Sequence, residues 1–283
     1  MMLTELRPSP IAGTWYEGDP VRLARAVDTY LDSARLPRLE GQVIALIAPH
    51  AGHRYSGPVA GYAFAAIRGL ALDAVAVVSP YHNYDPHPLL TTAHAAYYTP
   101  LGPIPTDKEA LLALDVHLKS ELGFGLFPIA RDREHSLEIE LPFLQRALSR
   151  EFTLIPVMIR AQEPETAHGL GRALAAVLKG KNALLVASTD LSHFYDQATA
   201  RQLDSEMLRR FESFDPNAIF EAEYTGKGYA CGHAAVAAVL WAARALGADR
   251  VQVLHYATSG DVTGDFHQVV GYGAAVVLKS SAC

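Results

Sequence analysis

Cysteine is all but absent from this chain, with only Cys231 and the terminal Cys283 in 283 residues. That scarcity excludes a disulfide framework and the C-x-x-C pairs of structural zinc, and it suits a reducing cytoplasm, the expected location. Positive charge is short too: 24 Lys and Arg face 30 Asp and Glu, for a net charge of −6. Such a balance invites neither nucleic acid nor an anionic membrane surface. Long apolar runs are missing; the richest, AAVAAVLWAA at 234–243, is about half the span of a bilayer and is followed by Arg244. The opening MMLTELRPSPIAGTWYEGDP has no basic region ahead of an apolar core, so no signal peptide is expected. No G-x-x-x-x-G-K-[ST] loop, G-x-G-x-x-G turn or G-x-S-x-G elbow occurs. ATP, NAD and serine-hydrolase readings therefore lack support.

What the chain does contain is an ordinary globular balance, 50% hydrophobic and 19% charged. Short apolar runs at 43–48, 74–79, 152–159 and 183–188 are rich in branched residues, as in strands buried on both faces. Helix-like segments alternate with them; Thr106 and Asp107 mark one start, and Pro142 suits another's first turn. Helical segments at 197–213 and 231–247 precede strands at 250–258 and 268–278. The expected fold is α/β: a single domain with a mainly parallel central sheet flanked by helices. No repeat, low-complexity tract or linker divides it.

Histidines sit where the apolar runs end. His50 follows the first, His82 the second, and Asp190 with His193 a later one. In open α/β sheets, ligands bind beyond the carboxyl ends of the strands. One histidine at a strand end is an ordinary loop residue; recurrence at three ends points to a shared pocket. Cys231, in GYACGHAAV, stands where a helical run begins, and N–H groups there favour a thiolate. The plainer reading of Cys231 is a small buried hydrophobe. His233, two residues on, would face away from it on a helix and touch the pocket only indirectly. Imidazole with thiolate suits iron, copper or zinc better than magnesium or calcium, and two histidines with one anion leave positions open for ligands.

Six segments, RPSPIAGTWYEGDP, APHAGHRYSGPVAGYAF, SPYHN, HSLEIELPFL, STDLSHF and CGHAAV, in that order, resemble the Memo family, whose microbial members are called AmmeMemoRadiSam system protein B. The resemblance spans nearly the whole chain and implies one domain, 1–283. It also implies a fold related to class III extradiol dioxygenases, which hold non-haem Fe(II) with two histidines and a glutamate. By motif, His50, His82 and Cys231 correspond to the metal ligands, with Asp190 and His193 lining the same pocket. Family members imply iron or copper with redox activity, phosphotyrosine peptides for some, and a functional link to radical-SAM and Ammecr-type proteins. The departure from the dioxygenases is Cys231 in place of the carboxylate. A thiolate is oxidisable and draws the preference toward copper or zinc, so ring cleavage does not follow from the fold.

Fe(II) is thus the expected ion, with copper or zinc as alternatives, and a small molecule or peptide the expected partner. His193 is the candidate acid/base, with Asp190 holding its other nitrogen. His135 and Glu138 are read as pocket residues that orient a ligand histidine or a bound water. Trp15 and Tyr16 line the entrance or fill core, and Arg54 could pair with a phosphate or carboxylate. The leading reading is a metal-dependent redox enzyme. A non-catalytic peptide- or phosphopeptide-binding module and a zinc hydrolase are the alternatives. The remaining histidines, His53, His87, His94, His117, His168, His255 and His267, receive no role.

Overall fold

A computed structural model describes residues 6–280, so Cys283 lies outside the described residues. The chain opens with β1 (Leu6–Arg7), α1 (Pro20–Ser33), β2 (Gln42–Ala48), α2 (His53–Ala65) and β3 (Ala74–Pro80). Three short strands follow, β4 (Leu89–Thr92), β5 (Ala96–Thr99) and β6 (Gly102–Pro105), then α3 (Lys108–Leu122) and β7 (Phe127–Ile129). A 3-10 turn (Glu138–Glu140) leads into α4 (Leu141–Ala147), β8 (Thr153–Ile159), α5 (Pro164–Leu178), β9 (Ala183–Ser188) and β10 (His193–Tyr195). The last part holds α6 (Gln197–Glu212), α7 (Pro216–Tyr224), α8 (His233–Ala245), β11 (Arg250–Thr258), α9 (Gly260–Thr263) and β12 (Val269–Lys279). Local signals start the helices as expected: the Asp107 side chain accepts Ala110 N at the head of α3, and Pro142 lies in the first turn of α4.

The four apolar runs are neighbours in one sheet, ordered β2-β9-β3-β8 and all parallel. Their residues divide by parity, because side chains alternate between faces along a strand. Ala45, Ile47, Ala76, Val78, Leu185 and Ala187 pack with α3, α5, α6 and α8. Leu46, Ala48, Val75, Val77, Leu184 and Val186 pack with α1, α2 and α4. With both faces covered, the strands can be continuously apolar, and each buried Leu or Val contributes about 1.5–3 kcal/mol. Small residues let α5 and α8 lie close, since a Cβ on Gly171 would meet Trp241 Cβ at 2.7 Å.

The parallel core is as expected, but its margins are not. β12 joins β2, β10 and β11 antiparallel, and β4 joins β8 antiparallel. β1, β5 and β6 form a separate three-stranded sheet that no apolar run announces. Among the described residues, no helix is long and apolar enough to cross a membrane. Because β2, β9 and β3 are parallel neighbours, the segments after them, with His50, Asp190 and His82, emerge at one edge of the sheet.

Candidate metal centre

Three imidazoles meet at that edge. Ring nitrogens of His50, His82 and His135 lie within 4.8 Å of one another. His50 is buried, while the side chains of His135 and His82 are 20% and 35% exposed, so the cluster opens on the His82 side. Two metal–nitrogen bonds of about 2.1 Å at a tetrahedral angle hold their nitrogens about 3.4 Å apart, so the widest-spaced rings close by up to about 1.4 Å to grip one ion. The donor set fits: this group can hold a metal ion.

Hydrogen bonds settle which nitrogens face the cluster. Glu134 accepts from the His82 ring Nδ1–H at 2.8 Å and from the backbone N–H groups of His82, His135 and Ser136 at 2.6, 3.0 and 3.0 Å. Burial alone would push this carboxyl up, but the His82 ring and the backbone donors outweigh it and hold it well below the usual carboxylate range. Burial likewise works against a charged His82, yet Glu134 wins and raises its pKa. With Nδ1 committed to Glu134, Nε2 of His82 is the nitrogen left for a ligand. Burial lowers His135 to about 4, Glu134 opposing the shift and His82 adding to it.

The His50 side is neutral. Its Nδ1 lies 2.9 Å from Ser188 Oγ, which also contacts Ser136 O at 2.7 Å and Glu140 Oε1 at 2.6 Å. A carbonyl only accepts, and a hydroxyl has one proton. Ser188 therefore donates to Ser136 O and accepts from both His50 Nδ1–H and a protonated Glu140. Glu140 fits that state: burial raises its carboxyl well above the usual range, and its buried Oε2 has no partner. Burial, with His82 and His135 nearby, holds His50 well below 6.5. His50 Nε2 then offers a lone pair, and Cys231 Sγ lies 3.1 Å from it, the thiol S–H donating.

Cys231 is brought there by close backbone approach. A Cβ on Gly232 would stand 2.3 Å from Ser188 O, so only glycine lets the entry to α8 press against the end of β9. The expected helix start is confirmed, two residues later than read, with α8 beginning at His233. The expected lowering of the thiol pKa is corrected: burial first, and the Asp190 carboxylate second, push it up.

Other expectations divide. Asp190 does not hold His193; its carboxylate accepts the backbone N–H groups of His50 and Ala51 at 2.8 and 3.3 Å, bridging the ends of β9 and β2. Burial raises it to about 7, the two N–H groups pulling the other way. His193 donates Nδ1–H to Leu191 O at 2.9 Å instead, and burial lowers its pKa. It lines a cavity of about 400 Å3 with Cys231, His233, Tyr195 and Tyr229. A bulge at Phe194, whose φ is 64°, turns both His193 and Tyr195 to that wall. His233 shares the cavity rather than facing away, beside Glu223 at 3.2 Å.

Glu138 is corrected outright. It lies in a buried cluster with Arg7, Ser9 and Tyr16, whose hydroxyl donates at 2.8 Å. Glu134, four residues earlier, does the orienting that Glu138 was expected to do; its position beside His135 was the available signal. Tyr16 is accordingly core, 4% exposed, whereas Trp15 is 38% exposed with its ring 4.1 Å from that of His135. Arg54 is exposed, its guanidinium 5.8 Å from the Tyr55 ring.

A family model described as "Memo-like protein" matches residues 7–276. A "MEMO1 family protein" of Nitrosopumilus maritimus is 32% identical over 273 residues, covering 95% of this chain and 98% of that protein. One from Methanosarcina mazei is 32% identical, covering 96% and 99%, and one from Thermotoga maritima is 35% identical, covering 83% of each chain. The chain belongs to the Memo family.

Proposed function

We propose that this protein is a single-domain metal enzyme with one ion at the His50, His82 and His135 cluster, acting on a small molecule by redox chemistry with iron or copper. The observation that carries it is the convergence of three imidazoles from distant segments, with the tautomers of His50 and His82 fixed by Ser188 and Glu134. Cys231 would supply the anionic donor: its S–H donates to the His50 Nε2 lone pair, and that thiol would give its proton to solvent if an ion took the nitrogen. A bound ion supplies Lewis acidity and, as iron or copper, one-electron chemistry.

The surrounding residues do the rest. His193 presents an unprotonated Nε2, because its other nitrogen donates to Leu191 O, and so acts as a base on the cavity wall. Asp190 fixes the backbone of His50, and Trp15 shields His135. A zinc hydrolase is the second reading, favoured by the three-imidazole set, which is also that of catalytic zinc sites.

Metal analysis after purification without added metal tests the proposal, using wild type and His50→Ala, His82→Ala, His135→Ala and Cys231→Ala. Loss of metal in the histidine variants is expected. Calorimetry in buffers of different ionisation enthalpy should show proton release on metal binding that drops in Cys231→Ala. Equal metal content in all five proteins would sink the reading. Activity retained with zinc under nitrogen would select the hydrolase.

A further inference from the structure

Among the described residues, four arginines are buried or half-buried: Arg7, Arg160, Arg210 and Arg250. Three have polar partners, in Asp132, Glu206 and the carbonyl of Glu40, the last through Nη2 of Arg250, whose Nε is buried without one. Arg160 has none. Its Nε is buried without a hydrogen-bond partner, and its guanidinium forms no ion pair. Leaving a buried donor unpaired costs about 1–3 kcal/mol, more when the group is charged. Two residues on, Gln162 Oε1 is likewise buried with no donor.

Both residues follow β8, so they emerge at the same edge of the sheet as His50, Asp190 and His82. They line a groove of about 390 Å3, whose other wall is the loop running on from His82 through Tyr84 and His87. Gln162 also lines the cavity that holds Cys231 and His193, so groove and cavity adjoin. The groove's acidic groups leave Arg160 unclaimed: Asp85 is bound to His87 through Nδ1 and the backbone N–H, and Glu163 is exposed. The larger depression beside β6, about 720 Å3, makes a contrast, because Arg146 and Arg150 there are already paired with Asp28 and Asp73.

We propose that this groove is an anion site: Arg160 anchors a carboxylate or phosphate of the substrate, and Gln162 accepts an N–H or O–H from the next part of the same molecule. The substrate is then an elongated organic anion whose uncharged end reaches the cavity beside Cys231 and His193. A planar guanidinium with free N–H groups matches either oxyanion in a two-point contact. This assignment rests on the metal-enzyme reading for its substrate, but the anion site itself is testable without metal.

The test titrates metal-free protein with inorganic phosphate and, separately, with succinate, following the Arg160 Nε–H resonance by NMR. A saturable shift is expected, with affinity about tenfold or more weaker in Arg160→Gln and partly kept in Arg160→Lys. Gln162→Glu, which adds a negative charge at the groove, should weaken both anions. Whichever of the two binds tighter identifies the oxyanion. No shift at Arg160, or unchanged affinity in Arg160→Gln, overturns the proposal. Metal content of Arg160→Gln should match wild type, so failure here leaves the metal reading standing. Loss of the metal reading with phosphate binding intact leaves the anion site standing.

Discussion

At the scale of single residues, Glu134 decides what His82 can do. Its carboxylate takes the ring Nδ1–H, which both orients the imidazole and makes it harder to deprotonate. Metal must displace a proton from any charged imidazole, so affinity should fall as pH drops through the raised His82 pKa. Glu134→Gln removes the charge, and two opposite effects are expected: about 10–100-fold weaker metal binding at alkaline pH, and a fall that begins at lower pH. Metal-competition titrations across pH read both; an unshifted profile would refute the role. Gly232 acts by size. Gly232→Ala forces a Cβ against Ser188 O, so Cys231 should leave His50 and metal-linked proton release should drop as in Cys231→Ala, as read by the same calorimetry. Cys231, His50 and His82 were visible in the sequence as residues at strand and helix ends. Glu134 was not singled out, and Ser188 was weighed only for a hydrolase reading, because their importance lies in one hydrogen bond to a partner 52 or 138 residues away.

At the scale of elements, one loop carries much of the centre. Residues 131–140 hold Glu134 and His135, and Arg7 of β1 ties them down, with Nη2 donating to Asp132 at 2.6 Å and to Glu134 O at 2.9 Å. Arg7 is 1% exposed and also meets Glu138. Replacing it leaves two buried carboxylates without their countercharge, so Arg7→Leu should cost about 3–5 kcal/mol, read as a lower urea midpoint. Metal affinity should fall with it as the loop loosens. A variant with unchanged stability would show that the cluster is not what anchors the loop. The helices and parallel strands were legible because their apolar pattern is a local property. The small sheet of β1, β5 and β6 was not, since its strands are two to four residues long and take their shape from their neighbours.

At the scale of the whole molecule, buried neutral histidines set the acid limit. His53, given no role in the sequence, is a core residue among Tyr16, Tyr30 and Phe143, its Nε2–H donating to Ile139 O at 3.0 Å. Burial lowers its pKa to about 4, the Ile139 bond opposing the shift. Below about 6.5 the unfolded chain takes up a proton that the native state refuses, so stability falls from there down to about pH 4 and then levels. For His53 the loss is of order 3 kcal/mol, and His53→Gln, which cannot titrate, should flatten the slope of unfolding free energy against pH for metal-free protein. Metal reverses the direction of change: an ion at a hundred times its Kd adds about 2.7 kcal/mol, a rise in melting temperature that His50→Ala should abolish.

The sequence by itself determined the α/β alternation, the runs that become the buried sheet and the residues that stand where those runs end, because each depends on neighbours a few positions away. The tertiary structure decided the company those residues keep: His135 inside the cluster, Glu138 outside it, Asp190 on the backbone of His50 and not on His193. Strand order and loop packing place such partners, and both are fixed by burial summed over the whole chain, a quantity that no single motif carries.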